Sequence, residues 1–260
     1  MRRRQLIELE DLAWFPAVIR DGGTASLRAL EKRIGVGHFL APALAEALRQ
    51  SGQRRLIDLC SGGAGPLPEV LEALAEAGLE VEALMTDKYP NQAALRQIAA
   101  ESGGRADFSA QPVDATDVPA ALEGFRTIFN AFHHFPPALA RGILADAVRK
   151  RVPIAVFEIV GRRPGTFVSI LLSPLAAALL MPTIRPLRPA WWFFTYLLPL
   201  IPAMLLFDGL VSCLRVYSPA ELQALIAGIE NHDSFEWRTQ SVQLQPAPLH
   251  GSILIGMPKP

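Results

Sequence analysis

The most informative segment of this chain is Arg54-Arg55-Leu56-Ile57-Asp58-Leu59-Cys60-Ser61-Gly62-Gly63-Ala64-Gly65-Pro66. A short apolar run ends at an acid, small residues follow, and apolar positions with helical spacing begin at Leu67. This order predicts a buried strand, a tight turn and a helix. Glycine lets the backbone approach a ligand, and N–H groups at a helix start favour polar or anionic groups. The segment therefore predicts a site for a nucleotide-like cofactor, with plain packing of a strand on a helix as the alternative.

A second strand followed by an acid favours the ligand-binding interpretation. Residues 81–85, four of which are apolar, predict a second buried strand that ends at Thr86 and Asp87. Asp87 follows Gly65 by 22 positions, and an acid about 20 residues after a glycine turn is placed to accept hydrogen bonds from ribose hydroxyls. The alternative is a solvated aspartate in a loop.

These residues resemble the class I S-adenosylmethionine-dependent methyltransferases, whose first motif is commonly an acid, an apolar residue and a run of small residues and glycines. The match is imperfect, because Cys60 stands where a glycine is usual. Residues 125–135 resemble the family's fourth strand and active-site loop, and residues 152–160 resemble its fifth strand. Residues 234–244 and 251–256 flank a turn with Pro246 and Pro248, as in the family's terminal hairpin.

The resemblance implies an α/β, Rossmann-like methyltransferase fold with a seven-stranded, mostly parallel sheet and a terminal antiparallel hairpin. The methyltransferase domain would comprise residues 51–163 and 212–260, with an N-terminal helical cap (1–50) and a hydrophobic helical insertion (164–211). We expect the cap helices to break at Asp21-Gly22-Gly23 and at residues 35–37.

The resemblance also implies S-adenosylmethionine as the cofactor. The implied cofactor-binding residues are Asp58, Cys60, Ser61, Gly62, Gly63, Asp87, Lys88, Asp114, Ala115 and Asn130. In the family's arrangement Gly62 and Gly63 approach the methionine part, Asp87 holds the ribose, and Asp114 faces the adenine amino group.

Two adjacent histidines, His133 and His134, are the candidate catalytic residues, because the fourth strand should open there onto the methyl group. A histidine pKa near 6.5 suits a general base at neutral pH. A structural role for both rings is an equal alternative. No metal site is expected, since adjacent histidines should point apart and no third ligand is evident. Substrate contacts are predicted for Glu158, Trp14 and Tyr217, although such residues are also common in cores.

Composition favours a folded chain with a small-molecule or lipid partner. The 260 residues include 25 basic and 25 acidic residues, so no general charge favours nucleic acid. Two cysteines do not support a disulfide framework and fit a reducing cytoplasm. The basic start, Met1-Arg2-Arg3-Arg4, precedes the acids Glu8, Glu10 and Asp11, and these interrupt any signal-like apolar core, so export is not expected.

The insertion contains two long uncharged runs, 21 residues at 164–184 and 19 at 189–207. Both approach the roughly 20 apolar residues that span a bilayer. Three interpretations compete: a spanning hairpin, a re-entrant or interfacial hairpin anchored by Trp191, Trp192 and Tyr196, and a buried lid or oligomer interface. We favour the interfacial hairpin, which predicts a cytoplasmic protein held peripherally or monotopically on the inner face of a membrane.

These observations together predict an S-adenosylmethionine-dependent methyltransferase for a lipophilic small molecule or lipid, with oxygen as the favoured acceptor atom, at a membrane surface. A non-catalytic membrane scaffold that binds the cofactor or a lipid is the alternative. A nicotinamide oxidoreductase is disfavoured, because the three tyrosines include no Tyr-x-x-x-Lys-like pair.

Overall fold

A computed structural model describes residues 2–63, 65–244 and 248–260. These residues form a seven-stranded sheet in the order β3-β2-β1-β4-β5-β7-β6. The strands are β1 (Arg55–Asp58), β2 (Glu82–Met85), β3 (Ala106–Phe108), β4 (Phe125–Phe129), β5 (Ile154–Glu158), β6 (Phe235–Leu244) and β7 (Leu249–Pro258). Strands β1 to β5 pair in parallel, and β7 pairs antiparallel with both β5 and β6. The predicted fold class is confirmed. Ala64 and Pro246 lie outside the described residues.

Helices cover both faces of the sheet and form the insertion. They are α1 (Ala17–Arg33), α2 (Val36–Ser51), α3 (Leu67–Glu76), α4 (Gln92–Glu101), α5 (Pro137–Lys150), α6 (Pro164–Leu171), α7 (Ser173–Leu180), α8 (Pro189–Trp192), α9 (Leu200–Arg215) and α10 (Pro219–Ala227). A 3₁₀ helix, Phe132–His134, follows β4, and a π-helical segment, Phe193–Leu197, follows α8. Ser218 and Glu221 form a reciprocal capping box at the start of α10.

The sheet is buried on both faces because neighbouring side chains in each strand point to opposite sides. Leu56 of β1 packs in the cluster that contains α2, α3 and α4. Its neighbour Ile57 packs in the cluster that contains α5 and α10. This sandwich holds the carboxyl ends of the parallel strands at one edge, where the loops that carry the candidate site begin.

The N-terminal cap differs from the prediction at its first glycines. Helix α1 continues through Gly22 and Gly23, so the expected break there is wrong. An ideal Cβ on Gly22 would lie 2.4 Å from Cδ1 of Ile201, and one on Gly23 would lie 2.7 Å from Cε of Met204. The two glycines therefore allow α1 to pack closely on α9. The second expected break is confirmed at Gly35, whose φ of 73° separates α1 from α2.

The insertion packs on α1 through its own small core. Met181, Ile184, Trp191, Ile201 and Met204 are buried there against Ile19 of α1. Helix α9 extends beyond the predicted boundary at residue 211. Within the described residues, no single helix has both the length and the hydropathy of a membrane span. Two bent helix pairs, Pro164–Leu171 with Ser173–Thr183 and Pro189–Leu197 with Leu200–Arg215, reach that length and composition together.

Candidate active site

The turn after β1 is held from below by the buried carboxylate of Asp58. Its Oδ1 accepts a hydrogen bond from Oγ1 of Thr127 at 2.9 Å, and its Oδ2 accepts one from Oγ of Ser61 at 2.6 Å. Burial raises the pKa of Asp58 to about 7, against the opposing effect of these hydrogen bonds. Asp58 and Ser61 therefore shape the turn from beneath, and their predicted contact with a cofactor stays a prediction.

The upper side of the turn is formed by Cys60, Gly62 and Gly63. Cys60 has a φ of 58° and Gly62 a φ of 52°, in the left-handed region that favours glycine. This explains why a glycine is usual at the position of Cys60. Gly63 lies directly beneath α1, because an ideal Cβ there would lie 2.3 Å from Cγ2 of Thr24.

Asp87 faces this turn from the end of β2. Its Oδ2 accepts a hydrogen bond from the backbone N–H of Gly62 at 2.9 Å, and its Oδ1 accepts one from the N–H of Tyr89 at 2.8 Å. The carboxylate is half-buried. The structure thus brings together the glycine turn and the acid that the sequence predicts for a ribose.

A second acid, Asp114, lies beside Asp87 in the loop after β3. Its carboxylate accepts hydrogen bonds from Nζ of Lys88 at 2.7 Å and from the N–H and hydroxyl of Thr116. These hydrogen bonds hold the pKa of Asp114 at about 2, well below the usual range. Ala115 is buried in the core below. Lys88 and Asp114 therefore form an exposed ion pair, and their predicted contacts with the cofactor stay predictions.

Asn130 connects the end of β4 to α1 through Glu31. The side-chain oxygen of Asn130 accepts a hydrogen bond from the N–H of Ile159 at 3.0 Å, and its amide donates one to Oε1 of Glu31 at 2.6 Å. Oε2 of Glu31 is buried without a hydrogen-bond partner in the described structure. It lies 3.6 Å from the position of an ideal Cβ on Gly65. Burial raises the pKa of Glu31 to about 8.

His133 is buried within a group of charged side chains at the end of β4. Glu158 accepts hydrogen bonds from the backbone N–H of His133 at 2.9 Å and from its Nδ1 at 2.8 Å. The other ring nitrogen, Nε2, lies 3.6 Å from Oε1 of Glu8. Burial alone would lower the pKa of His133, but the carboxylates of Glu158 and Glu8 raise it to about 10. This environment favours the imidazolium, which cannot accept a proton.

His134 lies next to His133 and has a similar set of neighbours. Its Nδ1 lies 2.8 Å from Oδ1 of Asp11, and its Nε2 lies 3.6 Å from Oε2 of Glu8. The centroids of the two imidazole rings are 4.4 Å apart. The expectation that the rings point apart is therefore wrong. We name Glu8, Asp11, His133, His134, Glu158 and Arg215 the histidine cluster.

Arg215 closes the histidine cluster from α9. Its Nη1 lies 2.5 Å from Oδ2 of Asp11 and 3.2 Å from Oε1 of Glu8. Its guanidinium also donates to the backbone carbonyls of His133 and His134. The cluster thus ties the N-terminal segment and the end of the insertion to the loop after β4.

The three predicted substrate contacts are not brought together. Both oxygens of Glu158 accept hydrogen bonds from His133. The hydroxyl of Tyr217 donates to the carbonyl of Phe135 at 2.7 Å, and its ring is buried beneath Arg3. Trp14 is 73% exposed and packs edge-on against Phe15. The carboxylate of Glu158 and the hydroxyl of Tyr217 both make hydrogen bonds within the protein, and their predicted contacts with a substrate stay predictions.

Sequence reasoning did not assign Glu8, Glu31 or Arg215 to the site. Glu31 stands next to Lys32 and Arg33, which is typical of a solvated helix face. In the sequence, Glu8 is one of three acids close together in the N-terminal segment. All three are less than 3% exposed, and only the tertiary packing of distant segments reveals this.

Comparisons with known proteins identify the fold. No family model and no curated protein matches the chain. It is similar to the solved structure of the plantazolicin methyltransferase BpumL in complex with SAH, with 11% identity, a TM-score of 0.54 and coverage of 92% of this chain and 97% of that one. Together with the strand order, this likeness shows that the chain has the fold of the class I methyltransferases.

Two longer structures are also similar. TnmH is 17% identical with a TM-score of 0.49, over 88% of this chain and 57% of that one. The O-methyltransferase NcsB1 from neocarzinostatin biosynthesis, solved with S-adenosylmethionine and 2-hydroxy-5-methyl naphthoic acid, is 16% identical with a TM-score of 0.48, over 85% of this chain and 57% of that one. The chain thus spans just over half the length of each.

Proposed function

We propose that this protein is an S-adenosylmethionine-dependent methyltransferase that acts on a lipophilic small molecule or lipid, with oxygen as the favoured acceptor, at a membrane surface. One observation carries the cofactor assignment: Asp87 at the end of β2 accepts a hydrogen bond from Gly62 in the turn after β1. The strand order reverses between β1 and β4, and ligands of open α/β sheets bind at such a reversal, beyond the carboxyl ends of the strands.

The side chains around the turn match the polar groups of the cofactor. We assign Asp87 to the ribose diol and Asp114 to the adenine amino group, because each of these groups can donate hydrogen bonds to a carboxylate. The free Oε2 of Glu31 is a partner for the ammonium of the methionine part, because a buried carboxylate oxygen without a hydrogen bond favours a cation. When bound, the cofactor supplies an activated methyl group on a sulfonium. The protein holds the acceptor in line and excludes water.

The position of α1 supports a moving cover and also the alternative of a non-catalytic scaffold. Thr24 lies on Gly63, so the cofactor would need α1 to shift outward, whereas a scaffold that binds only a lipid would keep it in place. The small core between α1 and the insertion contains Trp191 and Met204. Because this core joins α1 to the insertion, we expect the two to shift together.

The histidines lie at the end of β4, where the acceptor would meet the methyl group. An oxygen acceptor must lose a proton, and a neutral imidazole can take it. His134 is the better candidate for this base, because its side chain is 22% exposed, whereas His133 is 5% exposed. Substitution of either histidine is the direct test of this role.

The insertion supports the membrane-surface assignment through its exposed apolar side chains. Leu171, Leu172, Leu175, Leu179 and Leu197 are each more than half exposed, and a soluble surface seldom presents so many together. The carbonyl of Arg185, between the two apolar runs, accepts a hydrogen bond from Gln97 of α4 at 3.3 Å. A spanning hairpin would carry Arg185 to the far side of the bilayer, so this contact favours the interfacial hairpin.

We expect the double substitution Leu175→Glu and Leu179→Glu to lower liposome binding by about 10-fold or more, because each exposed leucine gains up to about 1.5–3 kcal/mol on burial in lipid. These leucines lie four residues apart on α7. Flotation with anionic liposomes measures the bound fraction. Leu139→Glu on α5, which is also an exposed leucine, is the matched control. If the double variant and the unmodified protein floated equally, the insertion would not be the segment that binds the membrane.

Turnover separates an enzyme from a scaffold. We expect labelled methyl groups to pass from S-adenosylmethionine to a component of a lipid extract, with a product heavier by one methylene and the label on oxygen. Mass analysis of the labelled product identifies both the acceptor and the acceptor atom. If several lipid classes all stay unlabelled while the protein still binds the cofactor, the scaffold is the better assignment.

A further inference from the structure

We propose that Glu8, His133 and His134 form a binding site for one divalent transition-metal cation of the zinc type. The three residues offer two imidazole nitrogens and a carboxylate, and these ligand atoms all lie within 4.8 Å of one another. Glu8 and His133 are buried, and His134 is partly exposed. The site is distinct from the glycine turn, because it joins the N-terminal segment to the loop after β4.

The distances within the site suit a shared cation better than direct hydrogen bonds. Nε2 of His133 lies 3.6 Å from Oε1 of Glu8, and Nε2 of His134 lies 3.6 Å from Oε2 of Glu8. Both separations are too long for a hydrogen bond. Two ligands on a tetrahedral zinc ion, each about 2.0–2.1 Å from the metal, lie about 3.3 Å apart. Small side-chain movements would therefore bring all three ligands onto one ion.

Two buried polar atoms support the site independently. Nε2 of His133 has no hydrogen-bond partner in the described structure. Oε1 of Glu8 also has none, although Nη1 of Arg215 lies 3.2 Å from it as an ionic partner. A buried polar atom without a partner costs about 1–3 kcal/mol, so most are satisfied by another group or by a ligand. A cation between these two atoms would satisfy both.

The outer neighbours of both histidines have the arrangement found around metal ligands. Nδ1 of His133 lies 2.8 Å from a carboxylate oxygen of Glu158, and Nδ1 of His134 lies 2.8 Å from a carboxylate oxygen of Asp11. Carboxylates at Nδ1 hold the proton on that nitrogen and raise the basicity of the ring, so a metal that displaces the Nε2 proton of the imidazolium finds its ligand already oriented. Both Nε2 atoms face Glu8, as this arrangement requires.

The surrounding charges favour a divalent cation despite one nearby arginine. Asp11 and Glu158 add negative charge, and Oε1 of Glu10 lies 3.4 Å from Nε2 of His134, within reach of the same ion. Arg215 contacts Glu8 through Oε1, whereas among the described residues the ion contact of Oε2 is with His134. Imidazole and carboxylate ligands suit Zn²⁺, Co²⁺ and Ni²⁺, whereas Mg²⁺ and Ca²⁺ prefer oxygen alone.

In the metal-bound state the imidazoles hold the cation, and neither is free to act as a base. The cation would then fix the N-terminal segment against the loop after β4. If the proposed methyltransferase activity holds, a metal position left open to an acceptor oxygen would lower the pKa of that oxygen.

Titration of chelator-treated full-length protein with Co²⁺, followed by visible absorption, tests the site. We expect one Co²⁺ per chain with a Kd in the micromolar range or below and displacement by Zn²⁺. Glu8→Gln and His134→Ala should each weaken binding about 100-fold, and Glu158→Gln about 10-fold or more. His38→Ala, which removes an exposed histidine beside Glu76, should bind like the unmodified protein.

The outcomes separate this site from the cofactor site. Circular dichroism shows which variants fold, and His134→Ala, at the partly exposed ligand, is the variant least disturbing to packing. No saturable Co²⁺ uptake, uptake unchanged in Glu8→Gln and His134→Ala, or preference for Mg²⁺ over Co²⁺ would each overturn the metal site. Loss of S-adenosylmethionine binding with normal Co²⁺ uptake would contradict only the proposed function.

Discussion

Asp87→Ala is expected to weaken S-adenosylmethionine binding by about 100-fold or more. A hydrogen bond to a charged group contributes about 1.5–3 kcal/mol, and the ribose diol offers two such bonds to one carboxylate. Each 1.4 kcal/mol corresponds to a factor of ten in affinity. The variant also removes the hydrogen bond that the N–H of Gly62 donates to Asp87 at 2.9 Å. The turn therefore loses part of its support. Isothermal titration measures the change.

Two further aspartate variants make the test specific. Asp87→Asn keeps one acceptor oxygen and should give an intermediate affinity. Asp107→Ala removes an exposed acid on β3 whose carboxylate contacts only its neighbour Phe108 among the hydrogen bonds of the described structure, and it should bind normally. An unchanged affinity in Asp87→Ala would exclude Asp87 from the cofactor site.

Glu31→Gln is expected to lower affinity for S-adenosylmethionine by about 10-fold or more, because it removes the carboxylate that would pair with the ligand's ammonium. The unmodified protein should also release close to one proton on binding at pH 7, since the pKa of Glu31 is raised to about 8 and an ammonium partner favours the charged form. Titrations in two buffers of different ionisation enthalpy measure this proton. In Glu31→Gln the buffer dependence should disappear.

Glu31→Gln should raise the stability of the ligand-free protein at high pH, although it lowers the affinity for the cofactor. Because the folded-state pKa of Glu31 lies above its ordinary value of 4.5, the stability linked to its proton is complete below about pH 4.5 and is lost as the pH rises through about 8. Glutamine has no such proton to lose and keeps the acceptor for Asn130. We expect equal Tm values at pH 4 and a Tm several degrees higher for Glu31→Gln at pH 9. If Glu31→Gln and the unmodified protein had equal Tm values at pH 4 and also at pH 9, the pKa of Glu31 would not be raised by burial.

Local patterns predicted the parts of the fold that depend on neighbours in sequence. The turn at 58–65 and the acid Asp87 follow from one strand, one turn and one helix, and the structure places them together. The terminal hairpin was likewise visible as two runs around a turn. Where the local sequence determines whether a segment is a strand, a turn or a helix, both the type of the element and its position in the chain could be predicted.

The remaining features depend on segments far apart in the chain. Gly22 and Gly23 resemble helix breaks, but they lie inside α1 because the insertion packs against them. Adjacent histidines point apart in a strand, whereas the 3₁₀ helix at Phe132–His134 turns both rings towards Glu8. The local sequence around Glu8 and around Glu31 is typical of an exposed acid. Segments far away in the chain bury both residues, so no pattern within one segment identifies them.

A crystal structure of the protein with S-adenosylhomocysteine tests the central claim most directly. We expect the ribose diol within hydrogen-bond distance of the Asp87 carboxylate, the ammonium beside Oε2 of Glu31, and Thr24 of α1 displaced from Gly63. A nucleoside bound away from the turn after β1, or an Asp87 side chain directed away from it, would contradict the methyltransferase assignment.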